Sequence, residues 1–132
     1  MVGRLKRALL DTSVVIAAAE AVTLEPGQTA AISVITLGEL RAGVRLAPDG
    51  DTRAIRQARL AAIRAAFDPL EVDEAVAEHY GEVLATARLH RRTSKATDLL
   101  IIATAAATGR VLHTRDNSQA QLARVVGVAV RP

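Results

Sequence analysis

One junction constrains the fold of this chain more than any other feature of its sequence. The apolar run from Ala8 to Asp11 ends in a carboxylate, and Thr12 then opens a second apolar segment, rich in alanine, that reaches Glu20. A short apolar run followed by a longer one predicts a buried strand that feeds a helix. Asp11 would then lie at the carboxyl end of a strand, which is where ligands bind in open α/β sheets.

The rest of the chain repeats this alternation of short apolar runs and longer helical patterns. Further strands are predicted at residues 30–34, 70–72, 111–114 and 125–130, further helices at residues 36–46, 52–66, 73–91, 99–108 and 118–124, and a loop at residues 23–29. Alternating strands and helices predict an α/β fold with a mainly parallel sheet and helices on both of its faces. The length of 132 residues suits one domain, spanning residues 1–132.

Composition excludes several classes of protein. The chain has no cysteine, which rules out disulfides and thiolate metal sites and is typical of a reducing cytoplasm. Aromatic residues make up only 2% of the chain, which argues against binders that stack single-stranded bases on aromatic platforms. No apolar run reaches the roughly 20 residues needed to span a bilayer, so no membrane association is expected. The net charge of +3 favours a polyanionic partner such as nucleic acid, and an arginine-rich surface without such a partner is the alternative.

Four carboxylates lie at predicted strand ends or in the first turns of predicted helices: Asp11, Glu39, Asp98 and Asp116. Each has an ordinary structural interpretation when it is taken singly. Asp11 could cap a helix, Glu39 could complete a capping box with Thr36, and Asp98 could favour the dipole of its helix. Asp116 could set a turn.

Taken together, the four carboxylates indicate a hard divalent cation. The carboxyl ends of parallel strands meet at one edge, where four acids would raise one another's pKa values unless a positive charge lies between them. Mg²⁺ or Mn²⁺ takes oxygen ligands and needs only a few carboxylates. Zinc is not expected, because cysteine is absent and only His113 lies near the predicted site. Such a cation can activate a water and stabilise the leaving oxygen in phosphodiester hydrolysis.

Basic side chains close to these acids in the sequence could hold the phosphates of a substrate. The candidates for substrate binding are Arg41, Arg92, Lys95 and Arg115. The alternative for any one of them is an ordinary solvated surface.

Four segments of the chain resemble the signature blocks of PIN-domain ribonucleases: residues 9–13, 35–40, 98–103 and 114–116. The order of the blocks and the ending Gly-Arg-Val-Leu-x-Thr-Arg-Asp are most similar to the VapC toxins of type II toxin–antitoxin pairs. This resemblance implies a PIN-like three-layer α/β/α sandwich and an endoribonuclease that depends on Mg²⁺ or Mn²⁺. It further implies a structured RNA substrate, either tRNA or rRNA, together with a homodimer and an inhibitory VapB-like antitoxin.

The resemblance also implies roles for individual residues. The four carboxylates would form the catalytic and metal-binding set, and Thr12 and Thr114 match positions whose hydroxyls orient carboxylates or water near the metal. After Asp116, many relatives carry a further acid and a phenylalanine in a pattern like Asp-x-Asp-Phe, whereas this chain has Asn117 and Ser118. Either residue could supply only a neutral oxygen, so we expect one well-formed metal position and one weaker position.

Two alternatives follow from these departures and from the fold class. A catalytically weakened PIN-fold module that binds RNA or a protein partner would also explain the missing acid. A receiver-type signalling domain would need an acidic pair after the first strand, and here Leu10 precedes Asp11. A phosphatase of the Asp-x-Asp-x-Thr type is excluded, because Ser13 stands where its second aspartate is required.

Overall fold

The computed structural model describes residues 7–17 and 29–131, which form five strands and six helices. The strands are β1 (Arg7–Leu10), β2 (Thr29–Ser33), β3 (Pro69–Leu70), β4 (Val111–His113) and β5 (Val130–Arg131). The helices are α1 (Thr12–Ala17), α2 (Val34–Arg45), α3 (Gly50–Ala66), α4 (Glu74–Leu89), α5 (Ala96–Thr108) and α6 (Asn117–Val125).

The sheet is parallel throughout, with the strand order β3-β2-β1-β4-β5. Strand β1 is central, and its register places Ala8 beside Ala30 of β2 and Leu10 beside His113 of β4. The predicted α/β fold is therefore confirmed. Because these strands run in the same direction, the chain leaves β1, β2 and β4 at one edge of the sheet, and the segments that follow them begin there.

Helices cover both faces of the sheet. Leu9 packs in one cluster with residues of α4, α5 and α6, among them Val83, Ile102 and Leu122. Leu10, the next residue along β1, packs in a second cluster with residues of α1, α2 and α3. Successive side chains of a strand point to opposite faces, so this division defines a three-layer α/β/α sandwich. Full burial of a leucine side chain contributes about 1.5–3 kcal/mol, which makes β1 a principal source of stability for both layers.

Helix α2 begins two residues earlier than the sequence predicts. Ser33 is its N-cap, and the Ser33 hydroxyl oxygen accepts a hydrogen bond of 3.0 Å from the backbone N–H of Ile35. The capping box predicted for Thr36 and Glu39 is therefore wrong, because both residues lie inside the helix. The pattern misleads because Ser33 ends β2 and caps α2 at the same time, so the strand leads into the helix without an intervening loop.

Three strands are shorter than predicted, and β4 lacks only the last predicted residue, Thr114. Strand β5 is predicted at residues 125–130 but comprises only Val130 and Arg131, because Val125 still belongs to α6 and Gly127 turns the chain with a φ of 84°. A left-handed φ of this kind favours glycine. Strand β3 is likewise reduced to two residues that pair with the end of β2.

Other predicted helix ends agree more closely with the structure. The carboxylate of Asp73 caps α4 as predicted, and Gly109 ends α5 in the left-handed conformation, with a φ of 63°. Helix α5 begins at Ala96 rather than near Leu99. The predicted end of α1 lies outside the described residues, as does the loop predicted at 23–29 except for its last residue, which begins β2.

We expect His113 to make the stability of the fold depend on pH. Its side chain is 5% exposed, and its Nε2 atom has no hydrogen-bond partner within the described residues. Burial lowers the pKa of His113 below its ordinary value of 6.5. The unfolded chain therefore binds a proton that the folded chain does not, so the free energy of unfolding should fall as the pH drops below about 6.5.

Urea denaturation at pH 7.5 and pH 5.5 would measure this dependence. His113→Leu should reduce the loss of stability between the two pH values, by an amount of up to about 1.4 kcal/mol per pH unit. His90→Gln, which changes an exposed histidine, should leave the loss unchanged. An equal pH dependence in wild type and His113→Leu would show that His113 is not responsible.

Candidate active site

Asp11 lies at the carboxyl end of the central strand and is 4% exposed. Its backbone N–H donates to the carbonyl of His113 at 2.9 Å, which continues the pairing of β1 with β4. Its Oδ1 atom accepts from the backbone N–H of Thr12, the first residue of α1, at 2.8 Å. Its Oδ2 atom accepts from the hydroxyls of Ser13 at 2.6 Å and Thr114 at 2.8 Å. Neutral donors thus orient the buried carboxylate and leave its charge uncompensated.

Glu39 is tied to the same place through Thr12. The Thr12 Oγ1 atom lies 2.7 Å from Glu39 Oε1 and 3.1 Å from the hydroxyl of the buried Thr36. A threonine has one hydroxyl proton, and a carboxylate is the stronger acceptor, so Thr12 donates to Glu39. The hydrogen bonds of Thr36 and Glu39 therefore connect α2 with Thr12 at the edge of the sheet, and they do not cap a helix.

Thr114 connects Asp11 with Asp116. Its hydroxyl oxygen accepts from the backbone N–H of Asp116 at 3.0 Å, and it is 2% exposed. Asp116 is exposed and caps α6, since its Oδ1 atom accepts from the backbone N–H groups of Ser118 and Gln119. The predicted turn-setting role of Asp116 is therefore observed, and it occupies only one of the two carboxylate oxygens.

Asp98 lies in the first turn of α5 and is partly exposed. Within the described residues its carboxylate has neither a hydrogen bond nor an ion pair. Burial raises the pKa of Asp98, and the negative charges of Asp11, Asp116 and Glu39 raise it further, whereas Lys95 lowers it. The four acids predicted from the sequence therefore lie within electrostatic range of one another, at the carboxyl edge of the sheet.

The acids converge without forming a closed cage. Across the described ranges 7–17 and 29–131, no three acidic or histidine side chains are grouped as ligands of one ion. The available donors are carboxylate and hydroxyl oxygens, which are the atoms that a hard divalent cation accepts.

Three of the predicted substrate-binding residues, Arg41, Lys95 and Arg115, are exposed, and Arg92 is half-buried. Arg41 donates to Gln57 at 3.3 Å, and Arg92 donates to Gln121 at 3.1 Å, so neutral side chains orient both guanidinium groups. Arg115 and Lys95 are exposed, and Lys95 immediately precedes α5.

Asn117, predicted as a supporting residue, is the first residue of α6 and is exposed. Its position beside Asp116 leaves its side chain open to solvent.

Two residues of the site are missing from the sequence prediction. Ser13 donates to Asp11, and its hydroxyl oxygen also accepts from the backbone N–H of Arg115 at 3.0 Å. A hydroxyl two residues after a strand-end acid is a recognisable local signal for such a bond. Gln119, which is 4% exposed, contacts both Thr114 and the backbone of Asp98. No local pattern distinguishes it from a surface glutamine.

The fold and the acidic edge together define an α/β/α protein whose candidate site is built from carboxylates and hydroxyls on neighbouring elements. A family model described as the PIN domain matches residues 8–125. The chain is 36% identical over 129 residues to ribonuclease VapC4 of Mycobacterium tuberculosis, which covers 95% of this chain and 98% of that relative. It is 42% identical over 100 residues to ribonuclease VapC8 of the same organism, with 74% and 88% covered.

Solved structures agree with this assignment. The VapBC-5 toxin–antitoxin structure from Mycobacterium tuberculosis has a TM-score of 0.76 at 29% identity, with 96% of both chains covered. FitAcB from Neisseria gonorrhoeae has a TM-score of 0.75 at 30% identity, with 95% of this chain and 96% of that chain covered. This chain belongs to the PIN-domain family, and the curated relatives named above are VapC ribonucleases.

Asp98→Asn should raise the thermal stability of the protein. The pKa of Asp98 is raised in the folded state above its ordinary value of 3.8. Its ionised form therefore destabilises the fold as the pH rises above that ordinary value. Asparagine keeps the shape and removes the charge, and the melting temperature at pH 7 should rise by about 2–5 °C. Circular dichroism would measure the change, with the exposed Asp68→Asn as a control of unchanged stability. A lower melting temperature for Asp98→Asn would contradict the prediction.

Proposed function

We propose that this chain is a metal-dependent endoribonuclease that acts as the toxin of a toxin–antitoxin pair. One observation carries the proposal above all: four carboxylates share one electrostatic environment at the sheet edge, and neutral hydroxyls orient two of them, Glu39 and Asp11. A fold that gathers negative charge in this way is less stable for it, which is characteristic of a site kept for function. The sequence similarity of this chain to VapC ribonucleases supports the proposed class of reaction.

The proposed cofactor is Mg²⁺ or Mn²⁺, held by Asp11 and Asp98 with contributions from Glu39 and Asp116. Magnesium keeps several waters and is commonly bound by one or two carboxylates together with substrate phosphates. This mode of coordination suits the four acids, which lie near one another but do not form a closed set of ligands. When bound, the cation would activate a water and stabilise the leaving oxygen of a phosphodiester.

The residues around the acids have separate proposed roles. Ser13 and Thr114 orient Asp11, and Thr12 orients Glu39, so that both carboxylates have oxygens in fixed positions. Asn117 would add a neutral oxygen beside Asp116.

Four basic side chains would hold the phosphates of the RNA on either side of the scissile bond. They are Arg41, Arg92, Lys95 and Arg115. Because Gln57 and Gln121 orient two of them without neutralising their charge, both guanidinium groups keep their full attraction for phosphate.

The proposed partners follow from the relatives. Two structures similar to this chain are described as VapBC-5, a toxin–antitoxin system, and as FitAcB. We therefore infer a VapB-like antitoxin, a homodimeric toxin and a structured RNA substrate, either tRNA or rRNA, in the cytoplasm. No helix in the described part of the chain has the length and apolar character required to cross a membrane.

Asp11→Asn should abolish RNA cleavage. It removes the charge of the best-oriented carboxylate, and the loss of a cation-binding group should lower the cleavage rate by at least about 1,000-fold, or about 4 kcal/mol. Cleavage of labelled total RNA in Mg²⁺ or Mn²⁺ would measure the rate, and sequencing of RNA ends after induction in cells would identify the target. Asp68→Asn is the control and should cleave as wild type does. Full activity in Asp11→Asn would refute the proposed catalytic site.

Calorimetric titration with Mn²⁺ tests the cofactor independently of activity. The wild-type protein should bind Mn²⁺, and Glu39→Gln should bind it at least about 10-fold more weakly, because one ligand charge is lost. A wild-type protein that binds neither Mn²⁺ nor Mg²⁺ and cleaves no RNA would instead favour the catalytically weakened binding module.

A further inference from the structure

Gln119 is unusual among the residues that surround the acidic edge. It lies in the first turn of α6, where its neighbours Asn117 and Ser118 are exposed, yet its side chain is 4% exposed. A buried amide needs partners for both its oxygen and its nitrogen. The two partners of Gln119 come from different elements, the end of β4 and the first turn of α5.

The oxygen of this amide faces the hydroxyl that orients Asp11. Thr114 Oγ1 lies 3.0 Å from Gln119 Oε1 and 2.8 Å from Asp11 Oδ2, and it accepts from the backbone N–H of Asp116. The hydroxyl has one proton and two acceptors. Gln119 thus provides a second acceptor for this proton. If the lone pairs of Asp11 Oδ2 bind another group, the buried Thr114 hydroxyl can still donate to Gln119.

The nitrogen of the same amide reaches the first turn of α5, which carries Asp98. Gln119 Nε2 donates to the backbone carbonyl of Asp98 at 3.4 Å, a long bond made in a partly buried place. The carboxylates of Asp98 and Asp11 repel each other, and this repulsion favours a greater separation of the two residues. A side chain that contacts both the backbone of Asp98 and the hydroxyl bound to Asp11 resists that separation.

We propose that Gln119 is a positioning residue that sets the spacing of Asp11 and Asp98, and through this spacing the affinity of the site for its divalent cation. The inference rests on the proposed function, since it assumes that these two carboxylates bind the cation. Gln119 acts through Thr114 and through the backbone of α5, and it need not touch the cation or the RNA. Its neutrality is part of the role, because a glutamate here would add a further negative charge and oppose an oxygen to the carbonyl of Asp98.

The test compares Mn²⁺ affinities by calorimetry in wild type and in Gln119→Met. Methionine keeps the length and volume of the side chain and removes both polar contacts, the one with Thr114 and the one with the backbone of Asp98. Loss of an outer hydrogen bond to a metal site typically weakens metal affinity by about 10- to 100-fold, and we expect a loss in that range. Gln119→Asn keeps the amide but is one methylene too short to reach both partners, so it should also weaken Mn²⁺ binding. This variant replaces Gln119→Met in the test if the methionine variant does not fold.

Thr104→Val is the matched control. Thr104 is fully buried on α5 and donates to the carbonyl of Leu100 at 2.8 Å, without a contact to the acids. This variant should lower the melting temperature and leave the Mn²⁺ affinity unchanged. If it weakens Mn²⁺ binding as much as Gln119→Met does, the effect is a general consequence of lost stability and the proposal is overturned.

RNA cleavage supplies the second measurement. Gln119→Met should cleave slowly at limiting Mn²⁺ and recover most of the wild-type rate at saturating Mn²⁺, because the carboxylates themselves are intact. Wild-type Mn²⁺ affinity in both Gln119 variants would overturn this inference alone. A wild-type protein that does not bind Mn²⁺ would overturn the proposed function, and this inference with it.

Discussion

The structure depends on the parallel pairing of β1 with β2 on one side and β4 on the other. This pairing sends three chain segments out of the sheet at the same edge. Asp11 follows β1 directly, Glu39 lies in the helix that follows β2, and Asp116 lies just beyond β4. Antiparallel pairing of β1 would place these acids at opposite ends of the sheet. The acidic edge is therefore a direct consequence of the topology.

Neutral hydroxyl groups orient two of the acids at that edge. Thr12 donates to Glu39, and Ser13 and Thr114 donate to Asp11, at distances of 2.6–2.8 Å. A hydroxyl fixes the direction of a carboxylate and preserves its charge, while an ion pair would cancel the charge that a cation needs. The result is a site whose geometry is well supported and whose electrostatics are unfavourable, as the raised pKa of Asp98 shows.

The sequence predicted the fold class and the family, and both are confirmed. Local patterns sufficed for this, since the alternation of strands and helices and the caps at Asp73 and Gly109 involve residues close together in the chain. The prediction was wrong where one residue serves two elements. Ser33 both ends β2 and caps α2, so the pattern of Thr36 and Glu39 suggested a helix start that the structure does not have.

The sequence by itself determined which junctions carry acids and the order in which they occur, because each junction is a local change from an apolar run to a polar residue. Only the tertiary structure decided which groups hold those acids. Thr12 meets Thr36 across 24 positions of sequence, and Thr114 meets Asp11 across 103. Such bonds depend on strand register and on the direction of each side chain, which no local pattern encodes. For the same reason the buried Gln119 is indistinguishable in sequence from the exposed Gln121, although Gln119 contacts both Thr114 and the backbone of Asp98.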